Sequence, residues 1–253
     1  MFFQDLESQY GEFPWMAAVM WDRGQELKYV AGGALIAPNV VLTAAHRIRK
    51  YNKPSVTLSV RLGDWDSRIT QELFHHQDIK VKEVIIHEHF NRGNLNNDVA
   101  LLILENDFTA APHIGTVCLP ELEDFSTSTC TVTGWGAEEY AKSGNFQNIL
   151  KKIDLPVVEN GECELRLKTT ILSNSYTLHD SFMCAGGEEG KDACTGDGGS
   201  PLVCQSLKDP SKYHVVGLVA FGLGCGEIGI PGVYANINRQ ETLQWINEKL
   251  RNV

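Results

Sequence analysis

Cys194-Thr195-Gly196-Asp197-Gly198-Gly199-Ser200-Pro201 is a glycine-rich turn that runs into the apolar stretch Pro201–Cys204. Similar short apolar runs rich in β-branched residues recur on both sides of it. Upstream lie Trp15–Trp21, Ala34–Ala45, Ser55–Leu62, Ile79–His87, Val99–Leu104, Cys130–Trp135, Ile149–Val158 and Ser181–Cys184. Downstream lie Tyr213–Gly222 and Gly232–Ile237. Clusters of Gly, Asn, Asp and Pro separate them, a pattern of strands and turns that predicts a barrel or sandwich rather than alternating β and α units. The acidic, proline-bearing segment 112–128 marks a boundary between two halves. At the end, Asn238 and Glu241 form a capping-box pattern, and Leu243, Ile246 and Leu250 follow at one-face spacing. A closing amphipathic helix packed on the second half is expected.

Composition narrows the function classes. With 43% hydrophobic and 21% charged residues the chain is ordinary for a globular protein. No apolar run approaches the roughly 20 residues that span a bilayer, which predicts no membrane span. A net charge of −10 disfavours a nucleic-acid partner. Seven cysteines, at 118, 130, 163, 184, 194, 204 and 225, fit no compact zinc pattern and read as disulfides of an oxidising compartment. The odd count, with no signal peptide visible at Met1-Phe2-Phe3-Gln4-Asp5, predicts a missing upstream piece.

Several motifs in order, from about Tyr10 to Leu250, resemble the chymotrypsin/trypsin family of serine proteases. They are Gly11-Glu12-Phe13-Pro14-Trp15, Gly32-Gly33-Ala34-Leu35-Ile36, Leu42-Thr43-Ala44-Ala45-His46, Asn97-Asp98-Val99-Ala100-Leu101-Leu102, Thr133-Gly134-Trp135-Gly136 and Pro231-Gly232-Val233-Tyr234. With them goes the opening stretch, which resembles Gly-Asp-Ser-Gly-Gly-Pro. The resemblance implies an all-β fold of two six-stranded antiparallel β-barrels, trypsin-like, with a C-terminal α-helix. It further implies that residues 1–253 form one trypsin-like (peptidase S1-like) domain, with sub-barrels at about 10–117 and 128–237 and the helix at 238–251.

In that family a serine attacks the substrate carbonyl, a histidine takes its proton and a buried aspartate orients the histidine. By resemblance His46 and Asp98 hold the last two roles, and Gly196 and Gly198 hold the oxyanion-hole amides. The nucleophile position is Gly198, which has no hydroxyl. Removing the nucleophile from such an enzyme costs about 10⁶ in turnover and leaves roughly 10³–10⁴ over water. Ser200 lies two residues on, about 6–7 Å along the chain, and serves only if the loop is rebuilt.

Other assignments also rest on the resemblance. Asp192, Gly222 and Gly232 match a primary pocket for Arg or Lys, with Ala220 where a serine is usual. Asp197 matches the residue that pairs with a liberated N-terminus, whose place falls on Phe2-Phe3-Gln4-Asp5 and lacks both usual glycines. Implied bridges are Cys130–Cys204, Cys163–Cys184 and Cys194–Cys225. A fourth family bridge is replaced by Ala31 and Arg47, and Cys118 matches the cysteine that tethers an upstream segment. Carboxylates in Asp64–Asp78 occupy a loop that holds Ca²⁺ in some relatives, although a solvated acidic loop is the preferred reading. No metal is expected at His75-His76 or His87-Glu88-His89, which read as surface histidines.

The substitution of Gly for the nucleophile resembles clip-domain homologues of arthropods. That implies a secreted, catalytically inactive cofactor of a protease cascade in innate immunity, acting in prophenoloxidase activation and melanisation. Its partners are then a zymogen such as prophenoloxidase or an active clip protease, with a clip module joined through Cys118. The rival readings are a pattern-recognition or adhesion protein and a weak trypsin-like endopeptidase using Ser200.

Overall fold

A computed structural model describes residues 6–24, 26–69, 72–137 and 147–251. The first half forms β1 (Met16–Asp22), β2 (Leu27–Ala37), β3 (Val40–Thr43), α1 (Ala45–Ile48), β4 (Thr57–Leu62), β5 (Gln77–Ile86) and β6 (Ala100–Leu104). The second forms β7 (Thr129–Gly134), β8 (Lys151–Val158), α2 (Asn160–Lys168), β9 (Phe182–Ala185), β10 (Pro201–Gln205), β11 (Tyr213–Phe221), β12 (Gly232–Asn236) and α3 (Gln240–Leu250). Strands close in the order β1-β2-β3-β6-β5-β4 in one barrel and β10-β11-β12-β9-β8-β7 in the other. Closure leaves neither sheet with a free edge. The expected pair of six-stranded antiparallel barrels is therefore present.

Burial explains why these segments pair as they do. All five residues of β6 are buried, and Leu35, Leu42, Val60 and Leu62 complete much of the first interior. Leu155, Leu202, Val216 and Tyr234 fill the second. The run read as Ala34–Ala45 is a hairpin, the end of β2 turning at Pro38-Asn39 into β3.

Three local readings need correction. Arg239, not Asn238, precedes α3 as its N-cap, and no side chain caps it. Asn238 instead donates to the Glu123 carbonyl at 2.6 Å. Leu243, Trp245 and Ile246 of α3 join a core that includes the first barrel as well as Val215 and Leu218 of the second, so the helix straps both. Trp245 lies 4.8 Å from the His87 ring and bonds Glu88. His87 is accordingly buried beneath α3 rather than on the surface, and that burial lowers its pKa.

Candidate functional site

The cleft between the barrels collects the motif residues. β3 ends at Thr43, and the short helix α1 begins two residues later, which carries His46 to the mouth of the first barrel. Asp98 stands just before β6 and is fully buried. Its Oδ2 lies 2.6 Å from His46 Nδ1, and its Oδ1 accepts the His46 backbone N–H at 2.7 Å. The preceding residue Asn97 takes a φ of +55°, and its N–H donates to Ser181 of the other barrel at 3.0 Å. Asp98 is thus fixed by the fold from both sides of the cleft. An ideal Cβ on Gly198 would lie 3.2 Å from His46 Nε2, so residue 198 faces the imidazole without offering it a hydroxyl.

Ser200 sits elsewhere. It is fully buried, and its Oγ lies 2.0 Å from where a Cβ on Gly32 would project. It makes no hydrogen bond to His46. Ser200 therefore packs against Gly32 of β2 rather than facing the His46 imidazole.

The loop around Gly198 has conformational requirements of its own. Gly196 and Gly199 adopt φ of +108° and +87°, where only glycine is comfortable. Asp197 accepts the N–H groups of Gly136 at 2.8 Å and Cys194 at 3.0 Å. A Cβ on Gly136 would approach Asp197 Oδ2 to 2.3 Å, which explains the glycine in the Thr133-Gly134-Trp135-Gly136 marker. Burial pushes the Asp197 carboxyl up to about 6, partly offset by these amides and by Arg47. The stretch Phe2-Phe3-Gln4-Asp5 lies outside the described residues.

Beside Gly198 opens a cavity of about 180 Å³ with Asp192 in its lining, Gly222 and Gly232 along its walls, and Ala220 nearby. The Cys194–Cys225 bridge joins two of its sides. A Cβ on Gly232 would come within 2.8 Å of Asp192 Oδ1, so a larger residue there would fill the floor. Enclosure raises the Asp192 carboxyl to about 7, against the stabilising N–H groups of Gly226 and Ala193. An ionised Asp192 would pair with a guanidinium or ammonium entering this space.

Two further bridges, Cys130–Cys204 and Cys163–Cys184, tie β7 to β10 and α2 to β9. Cys118 carries a free, exposed thiol, with its backbone paired to Tyr213 and Val215. In the acidic loop Arg61 binds Asp78 at 2.8 and 2.9 Å and reaches Asp64 at 3.4 Å, while Arg68 binds Asp66. Glu72 accepts the N–H groups of Trp65 and Asp66. Asp64 Oδ1 and Glu72 Oε2 are buried without hydrogen-bond partners among the described residues. Among the described residues no three His, Cys, Asp or Glu side chains converge as a metal site.

Sequence reasoning missed two contributors. Tyr29 donates its hydroxyl to the Gly196 carbonyl at 3.3 Å. Arg47 donates Nε and Nη2 to the Val30 carbonyl at 2.9 and 2.6 Å, tying α1 to β2 next to Ala31. Absence of the two cysteines marked this place in the sequence, but only the geometry reveals what replaces them.

A model of the Trypsin family matches residues 3–246. The chain is 44% identical over 258 residues to phenoloxidase-activating factor 2 of Galleria mellonella, covering 98% of this chain and 83% of that protein. It is 47% identical over 234 residues to inactive CLIP domain-containing serine protease A3 of Aedes aegypti, covering 91% of this chain and 48% of the relative. With inactive CLIP domain-containing serine protease A28 of Anopheles gambiae it shares 40% identity over 247 residues, covering 96% and 62%. The chain therefore spans only about half to three fifths of those two mosquito proteins. From the closed barrels, the paired His46 and Asp98 and these matches together, the chain belongs to the trypsin family, among its clip-domain serine protease homologues.

Proposed function

We propose that the chain works by binding and not by catalysis, as a secreted cofactor in an innate-immune proteolytic cascade that activates prophenoloxidase. One observation carries the reading: His46 and Asp98 are paired at 2.6 Å, and residue 198 facing the imidazole has no hydroxyl. The relatives named as inactive CLIP proteases and as a phenoloxidase-activating factor support it. In this reading the Asp192 cavity receives an Arg or Lys side chain of a zymogen or of an active clip protease. The exposed Cys118 thiol then joins an upstream clip module, and the three bridges suit an extracellular setting.

Reconstitution tests the proposal. Prophenoloxidase is incubated with an active clip protease, with and without this protein, and phenoloxidase activity and cleavage are followed. The protein is expected to raise phenoloxidase activity while cleaving nothing alone. Equal activity with and without it, or cleavage of prophenoloxidase by it alone, would sink the reading.

A further inference from the structure

The backbone of Gly198 does not demand glycine. Its neighbours Gly196 and Gly199 occupy the left-handed region, but Gly198 is not among the positive-φ glycines. An L side chain would therefore be tolerated by the backbone there. The obstacle is spatial. An ideal Cβ on Gly198 would lie 2.8 Å from Arg47 Cδ and 3.1 Å from Arg47 Cγ.

Those two carbons are not a loose end that swings aside. The guanidinium beyond them is held by two hydrogen bonds to the Val30 carbonyl. The Arg47 charge also acts electrostatically on the buried Asp197 and Tyr29. Shifting its stem away from residue 198 pulls on both hydrogen bonds to Val30 at once. The stem is anchored at one end by α1 and at the other by β2, with Gly198 against its middle.

We infer that Arg47 and Gly198 form one coupled device, in which the Arg47 stem occupies the volume beside His46 that a nucleophile's side chain needs, and Gly198 admits it. The tie holds α1 to β2 at Val30, and in doing so closes the reacting position. Restoring a serine at 198 would then not restore a working triad. This extends the non-catalytic reading of the cleft to a second residue, and its test needs no cascade partner.

A double-mutant cycle in thermal stability reads the coupling directly. Gly198→Ala is expected to lower the melting temperature by about 3–8 °C in the natural background, the usual scale of overpacking. In the Arg47→Ala background the same change is expected to shift it by about 1 °C or less. Equal shifts in both backgrounds, or none in either, would overturn the inference. A second measurement does not depend on the folding of Arg47→Ala. Gly198→Ser is exposed to a fluorophosphonate and weighed intact. It is expected to remain unlabelled, and labelling at the rate of active trypsin would overturn the lock while leaving the inactivity of the natural protein untouched.

Discussion

Asp98 takes two hydrogen bonds from one residue, the ring and the backbone N–H of His46, and is fully buried while doing so. That pair joins α1 to the chain just before β6. Asp98→Ala removes both acceptors of His46 and leaves its part-buried N–H unpaired, a change expected to cost about 1–3 kcal/mol. Urea unfolding checks this as a lowered midpoint at unchanged slope. The pocket carboxyl has a different signature. Asp192 is raised to about 7 by enclosure, so it is ionised above that pH and neutral below it. Affinity for benzamidine, measured by calorimetry, is expected to fall as pH drops through about 7, and Asp192→Asn is expected to remove the dependence. The sign for stability is the reverse. Asp192 and Asp197 both have folded pKa values above the unfolded 3.8, so the folded chain holds more protons through the window from about 4 to 6–7. Stability then declines as pH rises across that window, which thermal melts in a pH series would register. His46, Asp98, Asp192 and Gly198 were legible because each sits in a motif of distinctive residue types. Arg47 and Tyr29 were not, because their roles depend on where a long side chain lands after two barrels have met.

Strands were the most legible elements. Short apolar, β-branched runs located most of β1 to β12, and Gly, Pro and Asn clusters marked the turns between them. The early part of β2 was missed, since Leu27-Lys28-Tyr29 mixes exposed and half-buried positions and follows no clean apolar run. Helix α2 was missed for a related reason. Only Cys163 and Leu167 of its nine residues are buried, too few to draw a stripe. Its start is set instead by Glu159, whose side chain accepts the N–H groups of Gly161 and Glu162. The bridge from Cys163 to Cys184 of β9 joins α2 to the barrel, beside Leu167 in its core and the Asn160 amide on the Phe182 carbonyl. Replacing both cysteines by alanine is expected to cost about 2–4 kcal/mol, measured as a lower urea midpoint, because the unfolded chain regains the freedom of that loop. The start of α3 was misread because Asn238 had a partner distant in sequence, Glu123, that outcompetes a local cap.

At the scale of the molecule, the cleft exists only because both barrels contribute to it: His46, Arg47 and Asp98 from the first, Gly198 and Asp192 from the second. Gly32 of β2 donates to the Gly198 carbonyl at 3.2 Å across that junction, and α3 packs on both halves. A site assembled this way keeps its shape when one reacting atom is lost, since packing rather than catalysis maintains it. That is why a binding role remains open to the chain, with its Asp192 cavity and fixed loops. The central claim, that this cleft does not catalyse, is tested most directly by intact mass after exposure of the natural protein to a fluorophosphonate, beside active trypsin. The account predicts an unchanged mass for this protein and full labelling of trypsin. A stoichiometric adduct, mapped to Ser200 or any other serine of the cleft, would contradict it.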